Sequence, residues 1–223
     1  KGEEAVSKEL KQIHLRDTFE PVSPKSLSTE EKKAALESHL FLKQKRDMSV
    51  KGRMVAGGDK QRGTIPKIEA SSPTVATESV LLTATIDATE QREVATIDIP
   101  NAFVQTKIEN EEDKVVMRLR GRLAELMVMI APEVYSTFII INKKGESVLY
   151  VRLKNALYGI LKAALLFYKK LVRDLESIGF ELNPYDPCVA NKMIAGKQMT
   201  LCWHVDDMKI SHRDVEVVDD MIL

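Results

Sequence analysis

Two adjacent carboxylates, Asp206 and Asp207, stand between two short apolar runs, Met199-Thr200-Leu201-Cys202-Trp203 and Met208-Lys209-Ile210-Ser211. Both runs are made of strand-type residues, and the gap between them suits a tight antiparallel hairpin. Two-residue hairpin turns demand positive φ and favour Asn-Gly or a glycine. Asp tolerates such turns better than most residues, but two carboxylates at one tip repel each other. An Asp-Asp tip is therefore a poor choice for stability alone. A local rule broken without structural gain marks a place to look for chemistry.

Two readings of the dipeptide remain open at this point: a solvated turn, or a cation site. Asp219-Asp220 is an internal control, read as a solvated helix face. Val94-Ala95-Thr96-Ile97-Asp98-Ile99 reads as a buried strand ending in a third carboxylate. If that strand lies beside the hairpin, three acids converge on one sheet edge. Like charges held together need compensation. A hard divalent cation with oxygen ligands supplies it, and Mg²⁺ commonly uses one or two carboxylates plus substrate phosphates.

The remaining composition narrows the field. A chain of 223 residues suits one large or two small domains and can bury a substantial core. Lys and Arg number 33, as do Asp and Glu, so overall charge gives no sign of a polyanionic partner. A local excess does: Lys43, Lys45, Arg46, Lys51, Arg53, Lys60, Arg62 and Lys67 face only Asp47 and Asp59. Such a stretch is either a solvated loop or a phosphate-binding face. Lys51 and Arg53 lie two apart on an expected strand and so share a side. Cys188 and Cys202 form no CxxC pair, which argues against a disulfide framework or a zinc site and fits a reducing compartment. They read as buried thiols. No run is long and apolar enough for a transmembrane helix, and no signal-peptide pattern opens the chain. The abrupt ends, Lys1-Gly2-Glu3-Glu4 and Met221-Ile222-Leu223, read as those of a segment from a longer polypeptide.

Along the chain, residues 1–28 read as polar and extended. Ser28-Thr29-Glu30-Glu31 is a capping box, predicting an amphipathic helix through about Lys45. Residues 46–67 read as loop and strand, and Pro73 to about Glu90 as a second helix. Val115–Leu119 is a strand and Arg122 to about Ile130 a short helix. Phe138–Ile141 and Val148–Leu153 flank a glycine turn at Lys143-Lys144-Gly145-Glu146. Lys162–Ser177 is a long helix with Gly179 at C′, followed by a strand near Cys188-Val189-Ala190. Helices alternating with hairpins predict an α+β fold with a mostly antiparallel sheet.

Several segments resemble copia-like retrotransposon reverse transcriptases. Val205-Asp206-Asp207 resembles the Y-V-D-D box, with His204 in place of the usual Tyr. Asp98-Ile99-Pro100-Asn101-Ala102-Phe103 resembles D-V-x-x-A-F, and Leu157-Tyr158-Gly159 resembles L-Y-G. Lys51-Gly52-Arg53-Met54-Val55-Ala56 with Lys60-Gln61 is similar to K-A-R-L-V-A…K-Q, and Ser72-Pro73 to the following S-P-V. Gly179-Phe180 and Asp186-Pro187-Cys188 look like G-F…D-P-C. Order and spacing match over roughly residues 45–215. The run Ile160-Leu161-Lys162-Ala163-Ala164-Leu165-Leu166-Phe167 departs from the usual L-K-Q-S-P-R-A-W, which puts template contacts carried by those side chains in doubt.

The resemblance implies a right-hand polymerase: an N-terminal extension and first helix over 1–45, fingers over 46–92, and palm over 93–223. The palm would carry a fingers-like excursion at about 115–160 and stop before the thumb. It implies RNA-directed DNA synthesis on a primer 3′-hydroxyl. Asp98, Asp206 and Asp207 would be catalytic; with the Ile99 carbonyl they would hold two Mg²⁺ ions, or Mn²⁺. Lys51 and Arg53 would bind the triphosphate, Phe103 would act as a steric gate against the 2′-hydroxyl, and Tyr158 and Gly159 would contact the nucleotide. Partners would be an RNA or DNA template, a DNA or tRNA primer, deoxynucleotides and the rest of a Pol polyprotein (thumb, ribonuclease H, integrase). Synthesis would take place in a cytoplasmic particle, with integration in the nucleus. The alternatives are an inactive relic that still binds nucleic acid and another palm-like phosphotransferase.

Overall fold

A computed structural model describes residues 1–222, with only the backbone of Glu112. In chain order the elements are α1 (Gly2–Leu15), β1 (Phe19–Pro21), α2 (Thr29–Ala34), β2 (Leu36–Gln44), β3 (Val50–Ala56), a 3₁₀ turn (Gly58–Gly63), α3 (Lys67–Ala70), α4 (Thr77–Glu90) and β4 (Glu93–Asp98). After a short 3₁₀ turn (Glu111–Asp113) come β5 (Val116–Arg120), α5 (Arg122–Ile130), α6 (Pro132–Tyr135), β6 (Ile140–Ile141), β7 (Ser147–Leu153) and α7 (Ala163–Ser177). The chain continues through β8 (Glu181–Leu182), β9 (Val189–Ile194), β10 (Lys197–His204), β11 (Asp207–His212) and α8 (Val215–Ile222). The class is α+β, with two sheets that are antiparallel except at one strand pair, β2–β5. Among the described residues no helix is long and apolar enough to cross a membrane.

The chain divides into two compact units. The first comprises residues 1–70 and 103–163. Its sheet runs β1-β7-β5-β2-β3, with β6 added on β7. Leu10, Leu36, Met54, Met117, Leu119, Met127 and Leu149 are fully buried. The capping box forms as predicted: Ser28 Oγ accepts from Glu31 N, and Glu31 Oε2 accepts from Ser28 N. The helix it opens ends at Ala34, not near Lys45. A capping box fixes only where a helix starts; here residues 36–44 gain seven ladder pairs with β3 instead, a tertiary preference that overrides helix propensity. Residues 2–15 are helical rather than extended, burying Ala5, Leu10 and Ile13. The β6–β7 hairpin turns at Gly145 with φ +76.

The second unit comprises residues 71–102 and 164–223. Its sheet runs β4-β11-β10-β9-β8, antiparallel throughout. On α7, Phe167, Leu171 and Leu175 are buried at four-residue spacing, the stripe an amphipathic helix needs. Each such side chain contributes about 1.5–3 kcal/mol. Tyr168 of the same helix lies 6.5 Å from Trp203, ring to ring. Gly179 ends α7 at φ +87, with Phe180 N donating to Leu175 O. The strand expected to be buried, β4, is an edge strand whose residues alternate between exposed and half-buried.

Asp186, from the D-P-C segment, is 5% exposed and serves α4. Its Oδ2 accepts from Ala76 N at 2.9 Å and its Oδ1 from Cys188 N at 2.9 Å. Ala76 is the N-cap of α4 and has no capping side chain of its own. Burial pushes the Asp186 carboxyl up, but hydrogen bonds from Ser79, Ala76 and Cys188 together hold it below the usual range. A depressed folded pKa stabilises the fold above the ordinary carboxylate range, and that stability is lost as pH falls. Replacing Asp186 by Ala should lower stability at pH 7 by about 1–2 kcal/mol. Urea denaturation should show the difference from wild type shrinking as the pH drops below the Asp range; a pH-independent difference would contradict the capping assignment.

Candidate active site

The β4–β11 ladder places Asp98 opposite Asp207 and Ile97 opposite Met208. Past the strand end, Ile99 N donates to Asp206 O at 2.9 Å. Asp98, distant in sequence, is thus set beside the adjacent Asp206 and Asp207 at one sheet edge. Asp98 and Asp207 are exposed and Asp206 half-buried.

The hairpin differs from expectation by one residue. His204 pairs with Asp207, so the central turn residues are Val205 and Asp206, and Asp207 opens β11. Val205 has φ +59 and Asp206 is not among the positive-φ residues, the sign pattern of a II′ turn. A β-branched residue in that region is a true outlier, costing on the order of 1–3 kcal/mol. The ladder fixes that conformation, and the same register sets Asp207 against Asp98.

Among the described residues, none of these three carboxylates has a hydrogen bond or ion pair, and no three His, Cys, Asp or Glu side chains already surround one point. The donor set still suits a hard divalent ion: oxygen ligands only, on an open edge, unspent on internal partners. Mg²⁺ sites that share their coordination with substrate phosphates are built this way. A cavity of about 390 Å³ borders the edge, lined by Thr96, Asp98, His204, Asp207, Lys209 and Val80. Lys209, which no sequence motif singles out, also lines this cavity. It points into this region, but its ammonium binds Asp87 and Thr83 on α4. Strand alternation flags Lys209 as sharing the face of Asp207; its partners on a distant helix leave no local pattern in the sequence.

In the first unit, Lys51 and Arg53 are both exposed on β3, paired across the ladder with Lys43 and Phe41. Directly opposed like charges destabilise a ladder, so the Lys43–Lys51 pair is a basic spot open to an anion. The Arg53 guanidinium lies 4.3 Å from the centroid of the Tyr158 ring. Tyr158 in turn packs on Phe103, centroids 4.6 Å apart and planes tilted 48°. Arg53, Tyr158 and Phe103, singled out separately in the sequence, form one stack. Lys162 pairs with Asp113 at 2.6 Å and with Glu69 at 3.9 Å. Cys188 and Cys202 are buried; burial pushes the Cys188 thiol up to about 12 and the Cys202 thiol above its ordinary value. Burial of this kind disfavours the thiolate, the form that reacts.

The close approach at Gly159 is to the chain itself. Gly159 has φ +95, and a Cβ there would stand 2.0 Å from Ala56 O. The same strand end binds back, with Ala56 N donating to Tyr158 O at 2.8 Å. Gly159→Ala combines a left-handed conformation with a backbone clash, so it should cost at least about 2 kcal/mol. Thermal denaturation of the purified variant checks this; a wild-type midpoint would show that the strand end moves freely.

The sequence profile described as "Reverse transcriptase (RNA-dependent DNA polymerase)" matches residues 26–223. The retrovirus-related Pol polyprotein from transposon TNT 1-94 of Nicotiana tabacum is 26% identical over 217 residues, covering 94% of this chain and 14% of that polyprotein. The chain thus spans about one seventh of that relative's length. Among solved structures, telomerase from Candida albicans with a fragment of telomeric RNA is similar at TM-score 0.44 and 13% identity, over 98% of this chain and 41% of that one. Apo telomerase from Candida tropicalis is similar at TM-score 0.47 and 10% identity, over 98% and 45%.

Proposed function

The chain belongs to the reverse transcriptase (RNA-dependent DNA polymerase) family, and we propose that it is the fingers and palm part of a copia-type enzyme adding deoxynucleotides to a primer 3′-hydroxyl. In this reading the fingers fall over 46–92 and the palm over 93–223, with a fingers-like excursion at about 115–160. The observation that carries this reading is the ladder pairing of Asp98 with Asp207, one residue from Asp206.

Asp98 and Asp206 would hold two Mg²⁺ ions, or Mn²⁺, with Asp207 as auxiliary ligand and the Ile99 carbonyl as a further oxygen. Such a pair lowers the pKa of the attacking hydroxyl and neutralises charge on the triphosphate and leaving group. The protein's share is to keep oxygen donors on one sheet edge and free of internal partners before substrate arrives. Lys51 and Arg53 take the triphosphate. A guanidinium stacked on a ring keeps its N–H groups free to donate along its edge, so the Tyr158 stack presents Arg53 to phosphate in one orientation. Phe103 excludes the 2′-hydroxyl of ribonucleotides. The remaining basic residues of 43–67 track template phosphates, which makes binding salt-dependent.

The partners are an RNA or DNA template, a DNA or tRNA primer and the remainder of a Pol polyprotein, acting in a cytoplasmic particle before nuclear integration. A second reading, an inactive relic that retains nucleic-acid binding, draws on the altered run Ile160–Phe167. Primer extension by the complete polypeptide with Mg²⁺ decides between them: extension supports the enzyme, and none beside an active control supports the relic.

In an active polypeptide, Asp98→Asn or Asp206→Asn should lower the extension rate by at least about 10²–10³. A variant retaining more than a tenth of the rate would remove that residue from the metal set. Phe103→Ala should raise the ribonucleotide-to-deoxynucleotide incorporation ratio with deoxynucleotide addition retained. Unchanged sugar discrimination would assign Phe103 to packing alone.

A further inference from the structure

Lys209 lies two residues past Asp207, so the two side chains share one face of β11. The ladder carries that face to β4, where Asp98 stands opposite Asp207 and Thr96 opposite Lys209. The step from Lys209 to Asp207 is only about 7 Å along the strand, within the reach of a flexible four-carbon stem. The ammonium is held elsewhere. Its Nζ donates to Asp87 Oδ2 at 2.5 Å and to Thr83 Oγ1 at 2.9 Å, neighbours one turn apart on α4.

The helix that supplies these anchors is built the wrong way round for hydrophobic gain. Its buried residues are Thr83 and Asp87, while Leu81 and Leu82 stand 64% and 62% exposed. Burying a carboxylate is costly unless it is paired. Asp87 is 6% exposed and meets the Lys209 ammonium, and its second oxygen, Oδ1, has no hydrogen-bond partner among the described residues. The ammonium is thus the feature that accounts for the burial of Asp87.

We infer that Asp87 is a positioning residue: with Thr83 it keeps the Lys209 ammonium off Asp98 and Asp207, so that those carboxylates stay open to divalent cations. The inference rests on the metal-binding role proposed for that edge. With Asp87 neutral, the freed ammonium pairs with Asp207 or Asp98, and a tethered cation then competes with any ion that binds there.

Mn²⁺ alone, titrated into the complete polypeptide and followed by electron paramagnetic resonance, tests this without activity. Asp87→Asn should weaken Mn²⁺ binding by about tenfold or more, and adding Lys209→Met should restore it. Removing both partners of a buried pair also relieves a structural defect, so thermal denaturation is followed beside the titration, and the weaker Mn²⁺ binding of Asp87→Asn must appear where that variant is fully folded. Unchanged Mn²⁺ binding in folded Asp87→Asn, or no rescue in the double variant, overturns the inference. Thr83→Val removes the other anchor without leaving a buried charge and carries the test if Asp87→Asn does not fold; it should weaken binding by a smaller factor, and no change would overturn the inference. Equal Mn²⁺ binding by wild type and Asp98→Asn is a different result: it removes the metal role of the edge itself.

Discussion

The antiparallel register between β4 and β11 is the constraint from which the site follows. It sets Asp98 against Asp207 and ties Ile99 to the Asp206 carbonyl. A slip of one residue would turn Asp207 to the opposite face, because side chains alternate along a strand. The apolar partners of the same strands prevent that slip. Met208 and Ile210 are buried, and their burial cannot be kept in any register that turns them to solvent. The hydrophobic pattern that stabilises the sheet therefore also aims the carboxylates. The strain at Val205 is tolerated because ladder bonds on both sides of the turn over-determine its conformation.

In the other unit, close backbone packing does the positioning. The end of β3 and the Tyr158–Gly159 segment approach until no Cβ fits at Gly159. That approach sets the Tyr158 ring beside Arg53, and the ring in turn touches Phe103. A cation, a phenol and a phenyl ring so arranged hold one another's rotamers, which under the proposed function would reduce the entropy lost on binding a charged ligand.

Much of this was legible in the sequence where the signal is local. Apolar runs flanking Asp206-Asp207 gave the hairpin, and the Ser28 capping box and the Gly179 stop were read correctly as chain signals. The misreadings have physical causes. The capping box at Ser28 does not show that residues 36–44 leave the helix, because their strand pairing is decided by β3. Residues 2–15 look polar in bulk, yet Val6, Leu10 and Ile13 keep helical spacing, and only Leu10 and Ile13 among these are buried. The turn centres on Val205-Asp206, one residue before the tip that the flanking apolar runs suggest; the ladder outweighs the better tolerance of Asp for positive φ. Gly159 suggests close approach of a ligand, while its space is filled by Ala56. The capping of α4 by Asp186 and the holding of Lys209 by Asp87 join residues more than a hundred apart, and nothing in either segment alone foretells them.

Under the proposed function, Asp98, Asp206 and Asp207 together gather divalent ions at one sheet edge. Iron-directed hydroxyl-radical cleavage reads this directly, with Fe²⁺ in place of Mg²⁺ and ascorbate and peroxide generating radicals at the bound ion. Backbone cuts should cluster at residues 97–99 and 205–208, and excess Mg²⁺ should suppress them. Cuts elsewhere along the chain, or cuts at these positions that persist in Asp98→Asn, would contradict it.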